Sequence, residues 1–215
     1  MDITDIKNNL GRRDISQLLT IEFGTEPIVI GAPHHTLGGT AKMVCGREGD
    51  ENTGYLALIL AEHLRGQCII AHNYWLDPNK ICNDYLHFIK LKNPQNLIEI
   101  HGHGGSAKSY IEISCGTEEL SDRSEKLAEF INDEIRILEK IDSFWNDVSV
   151  CGTFSEIKYK AQEALSLRYV RECDATPFHI EIYPKLRKDE KNRVPEQGNK
   201  FMEVIANSLK KIRYL

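Results

Sequence analysis

Residues 28–35 read IVIGAPHH, and residues 96–105 read NLIEIHGHGG. Both are runs of apolar, strand-forming residues that stop on paired histidines. The first apolar run covers residues 27–33, with Pro33 ending it. Between the two lies DENTGYLALILAEHL (50–64), where Leu56, Ile59, Leu60 and Leu64 share one helical face and Asp50, Asn52 or Thr53 can cap the start. QCIIA (67–71) reads as a further strand. Strand, helix and strand in alternation imply an α/β fold, a sheet with parallel members and helices packed on its faces.

The second half continues the pattern. SYIEIS (109–114) alternates with period two, and VSVCG (148–152) and FHIEIY (178–183) are further strands. Leu127, Ile131, Ile135 and Leu138 mark a helix from Ser121 to Ile141. Phe201, Val204, Ile205, Leu209 and Ile212 mark a final one, with Asn199 as its cap. The KLRKDEKNR stretch (185–193) reads as a solvated charged loop.

A chain of 215 residues is expected to form a single domain, 1–215, with its own core. Its net charge of −5 gives no basic face for nucleic acid. Neither an apolar membrane span nor the apolar segment of a secretory signal is present, and the six cysteines form no CxxC pair. Reduced thiols and a cytoplasmic location are therefore expected. Oligomeric state is not legible.

Metal-type ligands gather at three element ends: His34 and His35, Glu48 with Asp50 and Glu51, and His101 with His103. In an open α/β sheet the carboxyl ends of parallel strands and the starts of the following helices share one edge, where ligands bind. Two imidazoles and one carboxylate would leave a fourth zinc position open, the composition of a hydrolytic site. By period two, Glu99 faces the same side as His101 and can orient it. Gly102, Gly104 and Gly105 allow close backbone approach or positive φ. Glu181 lies in an apolar run with His179 and Tyr183 on its face. It is either a general base or part of an exposed edge-strand face.

The order GAPHH, GDENTGYLALILAEHL, IIAHNYWLDPNK, LIEIHGHG and HIEIYPKLR resembles the N-formylglutamate amidohydrolase family over roughly residues 27–187. The resemblance implies a zinc exopeptidase-like, three-layer α/β/α sandwich around a mixed, mostly parallel sheet. It further implies a zinc-dependent amidohydrolase that cleaves a linear amide of an N-acyl amino acid such as N-formylglutamate. One zinc per chain would be held by His34, Asp50 and His101, with His35 and Glu51 as alternates. Glu181 would be the catalytic carboxylate. Asp77, Asn79 and Lys80 would shape the substrate pocket, and His103 would bind substrate or steady the transition state. Lys80 stands where the family usually has arginine, which turns a bidentate carboxylate contact into a single-point one. AHNYW also lacks the family's usual arginine. The partner is thus a small acyl amino acid or peptide. The other readings are a metallocarboxypeptidase-like or γ-glutamyl-peptide hydrolase, and a non-catalytic ligand-binding descendant of the fold.

Overall fold

Apolar residues alternate sides along the central strands, and this alternation builds two cores. Ile28, Ile30, Ile98, Ile100, Phe178 and Ile180 face one layer, whereas Val29, Ile69 and Leu97 face the other. The structure is a computed structural model that describes residues 1–213 other than 106 and 108.

In chain order the strands are β1 (Gln17–Glu22), β2 (Ile28–Ala32), β3 (His35–Thr36), β4 (Asp50–Glu51), β5 (Gln67–His72), β6 (Asn96–Gly102), β7 (Ile111–Ser114), β8 (Val150–Cys151) and β9 (Thr176–Ile182). The helices are α1 (Ile3–Leu10), α2 (Thr53–Leu64), α3 (Asp84–Lys92), α4 (Ser121–Leu138), α5 (Leu165–Glu172), α6 (Pro184–Arg187) and α7 (Glu196–Arg213).

Seven strands form the main sheet in the order β1-β5-β2-β6-β9-β7-β8. The central four, β5, β2, β6 and β9, are mutually parallel, while β1 and β7 run antiparallel to their inner neighbours. Helices α2, α4 and α7 pack together on one face, and α3 and α5 cover the other. This is the mixed-sheet α/β/α sandwich that the resemblance implied. Among the described residues, no helix is long and apolar enough to cross a membrane.

Three local expectations change. Helix α7 begins at Glu196, directly after Pro195, so Asn199 lies inside it and caps nothing. Asp50 is no helix cap. It pairs with His35 in the separate two-stranded ladder β3–β4, and Asn52 takes the cap position with φ 64° and no capping side-chain bond. The charged run 185–193 is not uniformly solvated, because Pro184 starts the short helix α6 and Arg187 is buried.

Candidate metal centre

Strands β2 and β6 are neighbours, so their carboxyl ends deliver His34 and His101 to one edge of the sheet. The small ladder delivers the third group. Asp50 N–H donates to His34 O at 2.8 Å, which fixes the start of β4 beside the end of β2. All three side chains are buried.

Their inner atoms form a triangle. His34 Nδ1 lies 3.2 Å from His101 Nδ1, His101 Nδ1 lies 3.2 Å from Asp50 Oδ2, and His34 Nδ1 lies 3.5 Å from Asp50 Oδ2. Ligands of a tetrahedral ion with bonds of about 2.0–2.1 Å are themselves spaced by about 3.3 Å. Without a cation a proton bridges His101 Nδ1 and Asp50 Oδ2, and His34 Nδ1 accepts from Arg47 Nη2 at 2.8 Å. A cation at the centre serves all three, so the residues fit a zinc-type ion.

The outer ring atoms are held by carboxylates. His34 Nε2 is 3.0 Å from Asp77 Oδ1, and His101 Nε2 is 3.5 Å from Glu99 Oε2. A carboxylate behind an imidazole favours the tautomer whose Nδ1 lone pair points inward. Glu99 is fixed in turn: Tyr85 Oη donates to its Oε1 at 2.9 Å and Asn79 Nδ2 to its Oε2 at 3.4 Å. Gly31 makes the first bond possible, because a Cβ there would collide with the Tyr85 hydroxyl.

Charge follows this geometry. Burial opposes ionisation of Asp50, but the His101 and His34 imidazoles beside it, His101 foremost, hold it far below the usual carboxylate range. Burial also pushes His101 down, yet its bonds to Asp50 and Glu99 prevail and lift it to about 9. Asp77, pushed up by burial, is brought to about 2 by His34 and Arg47.

Glu181 stands beside the triangle. Strand β9 lies between β6 and β7, so Glu181 is on an interior strand, directly opposite His101 in register. The edge-strand reading of this carboxylate therefore falls. Its Oε1 is 3.0 Å from His179 Nε2, whereas its buried Oε2 has no partner among the described residues. The His179 ring lies against His101 with centroids 4.1 Å apart. Glu99, His101 and His179 form a second group of ligand-type atoms within 4.8 Å of one another. Glu99 is already engaged there by Tyr85 and Asn79, so this group reads as support for His101.

No protein-family profile matches the sequence, and no curated protein matches it. Solved structures do. N-formylglutamate amidohydrolase from Ralstonia eutropha JMP134 matches 93% of this chain with 98% of its own, at a TM-score of 0.59 and 11% identity. The fold is that of N-formylglutamate amidohydrolase. A bacteriophage poly-γ-glutamate hydrolase shares it over 98% of this chain and 96% of its own, at a TM-score of 0.56 and 11% identity.

Within this N-formylglutamate amidohydrolase fold, the remaining candidates separate. His35 points away from the triangle: its Nδ1 accepts from Gly54 N–H at 3.1 Å, at the start of α2. Glu51 forms an ion pair with Lys188 and accepts from Gly39 N–H. His103 uses both ring nitrogens on backbone, facing Tyr110 O at 3.0 Å and accepting from Gly105 N–H at 3.1 Å. Lys80 and Glu48 are exposed. Asp77 and Asn79 are brought to the triangle through His34 and Glu99.

Sequence reasoning missed two arginines. Arg47 Nη2 donates to His34 Nδ1 at 2.8 Å. Arg187 donates to Ile182 O, Glu51 O and His103 O, and so ties the ends of β9 and β6 to β4. Its guanidinium packs where a Cβ on Gly102 would sit, which gives that glycine its reason. Proline at 184, a helix-start signal immediately before the charged run, is the available clue to Arg187.

Proposed function

We propose that this protein is a metal-dependent hydrolase that cleaves the amide bond of an N-acyl amino acid, N-formylglutamate or a related small substrate. The observation that carries this reading is the His34–Asp50–His101 triangle, with a buried carboxylate oxygen of Glu181 beside it that has no partner among the described residues. In this reading one domain carries the whole activity in the cytoplasm, with one zinc ion per chain.

His34, Asp50 and His101 would hold the zinc. When bound, zinc supplies Lewis acidity, polarising the scissile carbonyl and acidifying water. Glu181 takes a proton from the attacking water at Oε2 and returns it to the departing amine, while His179 steadies Oε1. Asp77 and Glu99 keep the two imidazoles oriented. Asn79 links these carboxylates, since its N–H donates to Asp77 Oδ1 at 3.1 Å and its Nδ2 to Glu99 Oε2.

The full-length match to a poly-γ-glutamate hydrolase favours a second reading, hydrolysis of a γ-glutamyl peptide bond. N-Acylglutamate and γ-glutamyl peptides, assayed in competition on zinc-loaded protein, separate the two. Metal analysis of wild type against His101→Ala tests what they share. A wild type without stoichiometric metal, with activity indifferent to chelator, overturns both.

A further inference from the structure

Arg47 reaches the triangle from the loop at 37–49. Its backbone is fixed in a small hairpin: Met43 N–H donates to Arg47 O, Gly49 N–H to Ala41 O and Val44 N–H to Asn73 Oδ1, each at 2.9 Å. Its side chain is 36% exposed, with Nη1 3.6 Å from Asp77 Oδ2 and a buried Nε that has no partner among the described residues.

A guanidinium keeps its protons at any ordinary pH, so in its contact with Arg47 Nη2, His34 Nδ1 is the acceptor. The lone pair used in that bond is the one His34 would offer a metal. Arg47 and a metal ion therefore compete for one pair of electrons. Once metal holds it, Arg47 loses its closest acceptor and keeps only the longer 3.6 Å pairing with Asp77 Oδ2, on a side chain 36% exposed. Rotation about side-chain bonds suffices to redirect it, because the hairpin stays tied. The neighbouring cations are committed, Arg187 to three carbonyls and Lys188 to Glu51.

We propose that Arg47 is the specificity-determining residue of this site: displaced from His34 by the metal, it pairs with a carboxylate of the substrate and selects anionic acyl amino acids over neutral ones. The inference rests on the metal-hydrolase reading. It also locates a cation for substrate recognition outside the Asp77–Lys80 segment.

The test compares wild type, Arg47→Ala and Arg47→Lys in two measurements that need no turnover. Zinc affinity is read by competition with a chromophoric chelator. Binding of N-acetyl-L-glutamate and of its neutral diamide to the zinc-loaded proteins is read by calorimetry. Arg47→Ala is expected to bind zinc about tenfold more tightly and N-acetylglutamate about tenfold more weakly, with the diamide unchanged. Arg47→Lys, which keeps the charge without the fork, falls between. Unchanged zinc affinity, or equal loss of both ligands, overturns the role of Arg47. Absence of one-to-one zinc binding in wild type and Arg47→Ala alike overturns the metal centre itself, and this inference with it.

Discussion

His101 and Glu181 are register partners on adjacent parallel strands, so a candidate ligand and a candidate proton carrier are positioned by the same sheet hydrogen bonds. This relationship separates their roles experimentally. Glu181→Gln keeps volume and strand pairing and removes only the basic oxygen. It is expected to retain full metal content and lose about 10²–10⁴-fold in kcat. Metal analysis beside steady-state kinetics checks this, and a variant with normal turnover removes Glu181 from the chemistry.

The two adjacent histidines should respond in opposite ways. His34→Ala opens the triangle and is expected to abolish metal binding with little change in cooperative unfolding. His35→Ala leaves the triangle whole but removes the acceptor for Gly54 N–H, and is expected to cost roughly 1–2 kcal/mol of stability at normal metal content. Paired metal titration and thermal melts distinguish them.

Support for His101 runs through Glu99. Tyr85→Phe removes the donor to Glu99 Oε1 and leaves a buried carboxylate oxygen without its partner. Metal affinity is expected to fall about 10–100-fold, the usual scale for groups that orient a ligand. Chelator competition reads the change, and an affinity equal to wild type would sever Glu99 from the site.

Metal binding should depend on pH in a defined direction. In the metal-free protein His101 is raised from 6.5 to about 9, and its proton must leave before Nδ1 can serve as a ligand. Apparent affinity is therefore expected to climb about tenfold per pH unit from 6.5 to 9 and then flatten. The same raised value stabilises the metal-free fold fully below pH 6.5, and that stabilisation is lost as pH rises through 9. Metal titrations and denaturation across this range should move in opposite directions.

Arg187 offers a test of the fold around the site. Arg187→Met keeps much of the buried bulk but takes a donor from three carbonyls, of which Ile182 O retains His103 N–H. A loss of roughly 3 kcal/mol is expected in urea denaturation. A loss below 1 kcal/mol would mean those carbonyls find other donors.

Much of this architecture is legible in the chain, for a physical reason. Leu97, Glu99 and His101 alternate with Ile98 and Ile100, as His179 and Glu181 alternate with Phe178 and Ile180, so strand period alone places the polar residues on one face. Choices between adjacent residues are not legible. His34 against His35, and Asp50 against Glu51, are separated by a ladder two residues long, too short to leave a pattern. Arg47 and Arg187 are hidden for another reason. Each sits among charged neighbours, and only long-range packing brings it to its acceptors. The strand Gln17–Glu22 carries no chemistry to draw the eye, and it pairs at the edge of the sheet.

The β3–β4 ladder has a consequence for how such a protein can diversify. It clasps both ends of the loop at 37–49, so the exposed residues of that loop can change while His34 and Asp50 keep their spacing, whereas Gly38 and Gly49 are fixed because a Cβ there would strike Asn192 or Thr36. The chemistry and the choice of substrate are thereby made separately heritable. A library varied at the exposed residues Ala41, Lys42, Val44 and Cys45 should yield new selectivities from one unaltered reaction centre.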